Sequence, residues 1–287
     1  MKRAIFALFL ALATMGSTRA RVSAPAQVLD LAYAPSSLGQ RSLDLFLPVH
    51  RTGAATIVFI HGGAFMYGNR KEYDVVGQAL SRQGVAVAVV SYRNYPLTDA
   101  HGAIRDVAKA VAWMHDNAAR YRLDPQRLFL VGHSSGAQIA TVLALNPAFL
   151  RAVGLPVTAI RGVLALSGPY DVRDLSKESP RWQAIDRHIY GATARRRAEI
   201  SAMAFTSSAS VPIITACGSA EDPWSCRQAT ALAGALVRAG DCSFVVREIG
   251  ADHMGMVRAL LNSDDPLERM LLDFVNGRGK CAPSSAS

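Results

Sequence analysis

Short apolar runs alternate with amphipathic stretches along most of this 287-residue chain. The apolar runs at 27–33, 42–47, 56–60, 85–91, 127–131, 162–167, 211–217 and 243–249 predict eight strands. Helical periodicity at 73–83, 100–121, 135–144, 226–239 and 266–276 predicts the helices between the later ones. The first two strands are joined by the turn-rich Pro35-Ser36-Ser37-Leu38-Gly39, with no helix between them, and so predict an antiparallel hairpin. The run Val85-Ala86-Val87-Ala88-Val89-Val90 is apolar at every position, as a central strand covered on both faces must be. The pattern therefore predicts an α/β architecture: a mostly parallel eight-stranded sheet with helices on both faces. The rhythm breaks between about 171 and 210. That segment has no strand, but Trp182, Ile185, Ile189 and Tyr190 recur at helical spacing, interrupted by Pro180 and Gly191. It reads as a small helical lid after the sixth strand, lying over the sheet edge where open α/β folds bind ligands. The competing reading is a lateral helix packed on the core.

With half its residues hydrophobic, a chain of this length can bury one large core, so 21–287 is read as a single domain with a loose tail at 277–287. Residues 1–20 read as a secretory leader. Lys2 and Arg3 precede the apolar stretch from Ala4 to Met15, and Thr18-Arg19-Ala20 forms a small-x-small cleavage site, with Ala24-Pro25-Ala26 as a second candidate. About 12 apolar residues are too few for an uncleaved spanning anchor, which needs about 20. The expected location is therefore periplasmic or secreted, with no membrane anchor after cleavage. In an oxidising compartment the four cysteines should form two disulfides. Cys217 ends a predicted strand and Cys226 begins the next helix, at one sheet edge. Cys242 begins a strand, and Cys281 follows the last helix as it returns toward that strand. The expected pairs are Cys217–Cys226 and Cys242–Cys281. The formal charge of +9 falls when Lys2, Arg3 and Arg19 leave. The remaining excess is scattered apart from Arg195-Arg196-Arg197, which reads as a solvated helix face rather than a nucleic-acid site.

The chemistry centres on Gly132-His133-Ser134-Ser135-Gly136, between the apolar run 128–131 and a small-residue helical run. A G-x-S-x-G between strand and helix is a nucleophile elbow, which lifts the serine hydroxyl above the sheet. A serine nucleophile needs a base, a carboxylate to orient it and donors for the oxyanion. In this architecture the order is Ser, acid, His. His253, in Gly250-Ala251-Asp252-His253-Met254-Gly255, follows the last strand and is the expected base. The acid should follow the preceding strand, where Glu221 and Asp222 are the candidates. Asp222 is preferred because a residue before proline is held in an extended or turn conformation that presents its side chain. Asp241 falls at the opposite edge, and Asp252 is too close to His253 in sequence to reach its ring. The expected oxyanion donors are the N–H of Ser135 and the Gly62-Gly63-Ala64 segment after His61. His61 is expected to brace that loop, and His133 is assigned no role.

Together these residues resemble the α/β-hydrolase superfamily, in particular its carboxylesterase branch related to hormone-sensitive lipase and the arylformamidases. His61-Gly62-Gly63, Leu123-Asp124-Pro125-Gln126-Arg127 and Ser167-Gly168-Pro169-Tyr170-Asp171 look like segments of these enzymes, and Ser91-Tyr92-Arg93-Asn94-Tyr95-Pro96 is similar to prenylcysteine methylesterases. Ala64 departs from the third glycine of the lipase-like H-G-G-G, and Ser135 from the usual alanine. The resemblance implies hydrolysis of a small-molecule carboxylic ester through an acyl-enzyme, with no metal or cofactor and no nucleic-acid partner. A formamide or amide hydrolase using the same triad is the alternative, and a catalytically silent binding protein a remote one. Acyl length, leaving group, physiological substrate and oligomeric state are not encoded in any motif of this chain.

Overall fold

The apolar runs form a single eight-stranded sheet: β1 (Ala26–Ala32), β2 (Ser42–Leu47), β3 (Ala54–Ile60), β4 (Ala86–Val90), β5 (Leu123–His133), β6 (Ile160–Leu166), β7 (Ile213–Gly218) and β8 (Ser243–Glu248). A computed structural model describes residues 26–36, 39–50, 52–174, 186–208 and 211–281. The predicted leader, Trp182 and Ile185 of the insertion, and the last residues of the tail lie outside them. The strand order is β1-β2-β4-β3-β5-β6-β7-β8. β2 runs antiparallel to both β1 and β4, and every other pairing is parallel. Strand order and direction together are those of an α/β-hydrolase fold.

Alternation along the strands sorts the core into two layers. Ile57, Phe59, Phe129 and Val131 pack with α1 (Asp74–Arg82) and with the C-terminal helix Pro266–Val275. Val58, Ile60, Leu128 and Leu130 face the other way, onto α2 (Ala100–Asn117) and α3 (Ser135–Leu145). After α3 come α4 (Pro147–Arg151), α5 (Ala194–Glu199), α6 (Pro223–Arg238), α7 (Gly255–Ala259) and α8 (Pro266–Val275). The short α4 and α7 carry too few turns to show periodicity in the sequence. A larger departure is α6, which starts at Pro223 rather than at 226.

Both expected disulfides are present, Cys217–Cys226 across 9 residues and Cys242–Cys281 across 39. Closing such loops restricts the unfolded chain by about 2–3 kcal/mol for the shorter and about 4 kcal/mol for the longer. The first ties the end of β7 to α6, on either side of the loop that carries Glu221 and Asp222. Among the described residues no helix is long and apolar enough to cross a membrane.

A charged cluster is built into the sheet edge beside α1. Asp44 of β2 is fully buried and is met by Arg70 Nε at 3.0 Å and Lys71 Nζ at 2.8 Å, while Arg70 also pairs with Asp30. Asp74, at the start of α1, is the cluster's surplus carboxylate. Burial, followed by the nearby Asp44 charge, pushes its pKa up to about 6. A carboxyl whose folded value lies above its unfolded one, about 3.9, lends stability fully below that lower value. The contribution is lost as pH rises through about 6. Asp74→Asn should therefore raise the Tm at pH 8, with the gain shrinking toward pH 4. Thermal denaturation at the two pH values checks this.

Candidate active site

The elbow forms because β5 and α3 cross too closely for side chains. A Cβ on Gly132 would lie 2.2 Å from the Gly136 carbonyl oxygen, and one on Gly136 would lie 2.1 Å from that of Ile60. Between them Ser134 adopts φ 57° and ψ −121°, a region costly for any residue with a β-carbon. The strain is held by the Ser134 N–H, which donates to the Leu166 carbonyl at 2.8 Å, and by the helix that begins at the next residue.

The loop after β3 lies directly against this turn. A Cβ on Gly62 would meet Ser134 Cβ at 3.0 Å and His133 Nδ1 at 2.9 Å. Gly63 (φ 125°), Ala64 (φ 52°) and Phe65 (φ 60°) turn the chain sharply, and the N–H groups of Met66 and Tyr67 both donate back to the Gly63 carbonyl at 2.9 Å. Ala64 thus adopts the left-handed conformation with a β-carbon, at a cost of about 1–2 kcal/mol. Among the described residues the N–H groups of Gly63, Ala64 and Ser135 meet no hydrogen-bond acceptor. Burial first and the Glu72 charge second raise the pKa of the Tyr73 hydroxyl, and the Gly62 backbone acts against them.

The segment similar to methylesterases braces this loop. The Tyr92 ring stacks on His61 at 4.4 Å, and its hydroxyl donates to the His61 carbonyl at 2.9 Å. Arg93 chelates the buried Asp106 with Nε at 2.7 Å and Nη2 at 2.9 Å, and Asn94 donates to the Gly68 carbonyl at 3.0 Å. His61 is fully buried, and burial lowers its pKa to about 4, so the ring is neutral and its Nδ1–H donates to the Gly62 carbonyl at 2.6 Å.

The base and acid loops are stitched together by their backbones. Ser219 N–H donates to the Glu248 carbonyl at 2.8 Å, and Ala220 N–H to the Ala251 carbonyl at 3.0 Å. This sets His253 Nδ1 3.6 Å from Glu221 Oε1, within ion-pair range and just beyond a hydrogen bond. The Glu221 side chain is 1% exposed and the His253 side chain 46%. Ser167, from the Ser-Gly-Pro-Tyr-Asp segment, donates its hydroxyl to Glu221 Oε1 at 2.5 Å. Burial alone would raise the Glu221 pKa, but His253, Ser167 and Ser225 together outweigh it and hold the carboxyl below its ordinary value.

Asp222, the expected acid, is elsewhere. Its carboxylate accepts from the Trp224 N–H at 2.9 Å as the N-cap of α6, with Pro223 in the first turn. The side chain satisfies a helix end, and the carboxylate that lies beside His253 Nδ1 is that of Glu221, the other candidate. The signal lay in the sequence: Asp followed by Pro is a helix start as much as a turn. Ser167 carried no such signal, because its role arises from tertiary contact alone.

His133, the last residue of β5, is buried against the base. Its Nε2–H donates to the His253 carbonyl at 2.9 Å, and the two rings lie 4.6 Å apart. Burial first, and the His253 charge second, lower its pKa to about 3, so it stays neutral.

The described part of the insertion packs on the site's surroundings. Tyr190 meets Phe65 edge-on at 5.9 Å, and Gln138 and Asn146 donate to the carbonyls of Ile200 and Glu199, each at 2.9 Å. The arginine run on α5 is partly pinned rather than merely solvated: Arg196 pairs with Asp99, and Arg197 donates to the Arg173 carbonyl at 2.9 Å.

Residues 43–236 match the model of the family described as BD-FAE. A probable isoprenylcysteine alpha-carbonyl methylesterase of Oryza sativa subsp. japonica is 32% identical over 139 residues, 46% of this chain and 33% of that protein. The isoprenylcysteine alpha-carbonyl methylesterase of Arabidopsis thaliana is 30% identical over 138 residues, 46% of this chain and 32% of that protein. The match thus spans about a third of the length of these curated relatives. Among solved structures, a truncated carbohydrate esterase from gut microbiota superposes with TM-score 0.74 at 21% identity, over 90% of this chain and 97% of that one. An inhibited esterase B of Lactobacillus rhamnosis superposes with TM-score 0.75 at 18% identity, over 88% of this chain and 87% of that one. At these identities the two structures speak for the fold.

Proposed function

The chain belongs to the BD-FAE family, and from that premise we propose that it is a serine esterase acting through Ser134, His253 and Glu221. One observation carries the reading. A strained elbow serine sits against a loop with unengaged N–H groups, on the same sheet edge as a histidine whose Nδ1 faces a buried carboxylate. With Nδ1 turned to Glu221, Nε2 is the nitrogen left for the serine proton. Ser134 Oγ attacks the ester carbonyl as His253 takes its proton. Gly63, Ala64 and Ser135 donate to the oxyanion. His253 then protonates the departing alkoxide, and water, deprotonated in turn by His253, releases the acid from Ser134. Glu221 holds the ring in the required tautomer and stabilises the imidazolium.

The named activity of the relatives, methylesterase, supports ester over amide as the bond cleaved. Two disulfides support an exported enzyme. The test is turnover of p-nitrophenyl esters of increasing acyl length alongside an aryl formamide, with fluorophosphonate labelling mapped by peptide mass. Ester turnover with label on Ser134 is expected. Formamide turnover without ester turnover, or no label, would overturn the proposal.

A further inference from the structure

We propose that His133 is a positioning residue that holds the base loop in register with the nucleophile, an inference that rests on the esterase reading. His133 is covalently next to Ser134, so whatever its ring grips is fixed relative to the nucleophile. It grips the other two parts of the site. Its Nε2–H donates to the backbone carbonyl of His253 at 2.9 Å, and its ring lies 4.6 Å from the His253 ring. Its Nδ1 lies 2.9 Å from where a Cβ on Gly62 would be, against the oxyanion loop. The residue is 2% exposed, so solvent does not compete for the bond.

The bond also defines the tautomer. A carbonyl accepts only from N–H, so the proton sits on Nε2 and Nδ1 is a bare acceptor, buried with no partner. A ring chosen for packing alone would not leave a nitrogen orphaned, a desolvation cost that phenylalanine would avoid. The imidazole thus carries a donor that the loop needs. His253 is otherwise lightly held, with nearly half its side chain exposed and its Glu221 contact at 3.6 Å. A shift of about 1 Å in such a group can cost about 100-fold in rate.

His133→Phe keeps a ring and removes the donor, whereas His133→Gln restores an N–H at the Nε2 position. For p-nitrophenyl acetate, His133→Phe should lower kcat by up to about 100-fold with KM little changed, and His133→Gln should recover most of the loss. Hydrogen exchange by mass spectrometry should show faster exchange across 251–255 in His133→Phe than in wild type or His133→Gln. Wild-type kcat in His133→Phe, equal losses in both variants, or a Tm change with kcat intact would overturn the proposal. An unlabelled Ser134 in wild type would instead sink the esterase reading. The exchange measurement needs no turnover, so unchanged exchange in His133→Phe would then still overturn the clasp.

Discussion

Glu221→Gln is expected to lower kcat for an ester by about 10⁴-fold, while Asp222→Asn leaves it near the wild-type value. The two residues are adjacent, yet their side chains do different work. Glu221 is buried beside His253 Nδ1 and accepts from Ser167. An amide there keeps the shape but removes the charge that stabilises the imidazolium. It can also turn its NH₂ toward Nδ1, which selects the tautomer with its proton on Nε2, where the serine needs an acceptor. Asp222 caps α6 through the Trp224 N–H, and asparagine caps about as well. Asp222→Ala should therefore cost about 1 kcal/mol of stability with kcat per folded molecule unchanged. Steady-state kinetics on Glu221→Gln, Asp222→Asn and Asp222→Ala, with urea denaturation of the last, separates the roles. Loss of kcat in Asp222→Asn with retention in Glu221→Gln would restore Asp222 as the acid.

That exchange of roles marks where sequence reasoning reaches its limit. The strands were legible because short apolar runs bounded by turn residues are a local signal, and Ile57 and Phe59 point opposite to Val58 and Ile60 whatever the partners. The elbow was legible because its glycines are dictated by crossing distances within five residues. The disulfide pairs followed from which strand ends share an edge. The acid was harder. Choosing between Glu221 and Asp222 depended on where α6 begins, and a helix start set at 226 left Asp222 without an occupation. Placed at Pro223, the same residues assign Asp222 to the cap and free Glu221 for the site. Ser167 on Glu221 joins residues far apart in the chain, so no spacing rule could have found it.

Ser134→Ala should abolish ester turnover, with kcat down about 10⁶-fold, because nucleophile, base and acid act as a unit and the rest of the triad is useless without the hydroxyl. Binding and the oxyanion donors survive, so a residual rate above that of water is expected. The fold should be untouched. Alanine keeps the β-carbon, so the φ 57° conformation is as strained as before and Tm should hardly move. Ser134→Gly should be just as inactive but more stable, by about 1–2 kcal/mol, since glycine adopts positive φ without penalty. Calorimetry on the two inactive variants thus measures the strain itself. Equal melting temperatures would mean that the elbow holds its serine without strain, and that nothing is given up in stability to lift the hydroxyl above the sheet.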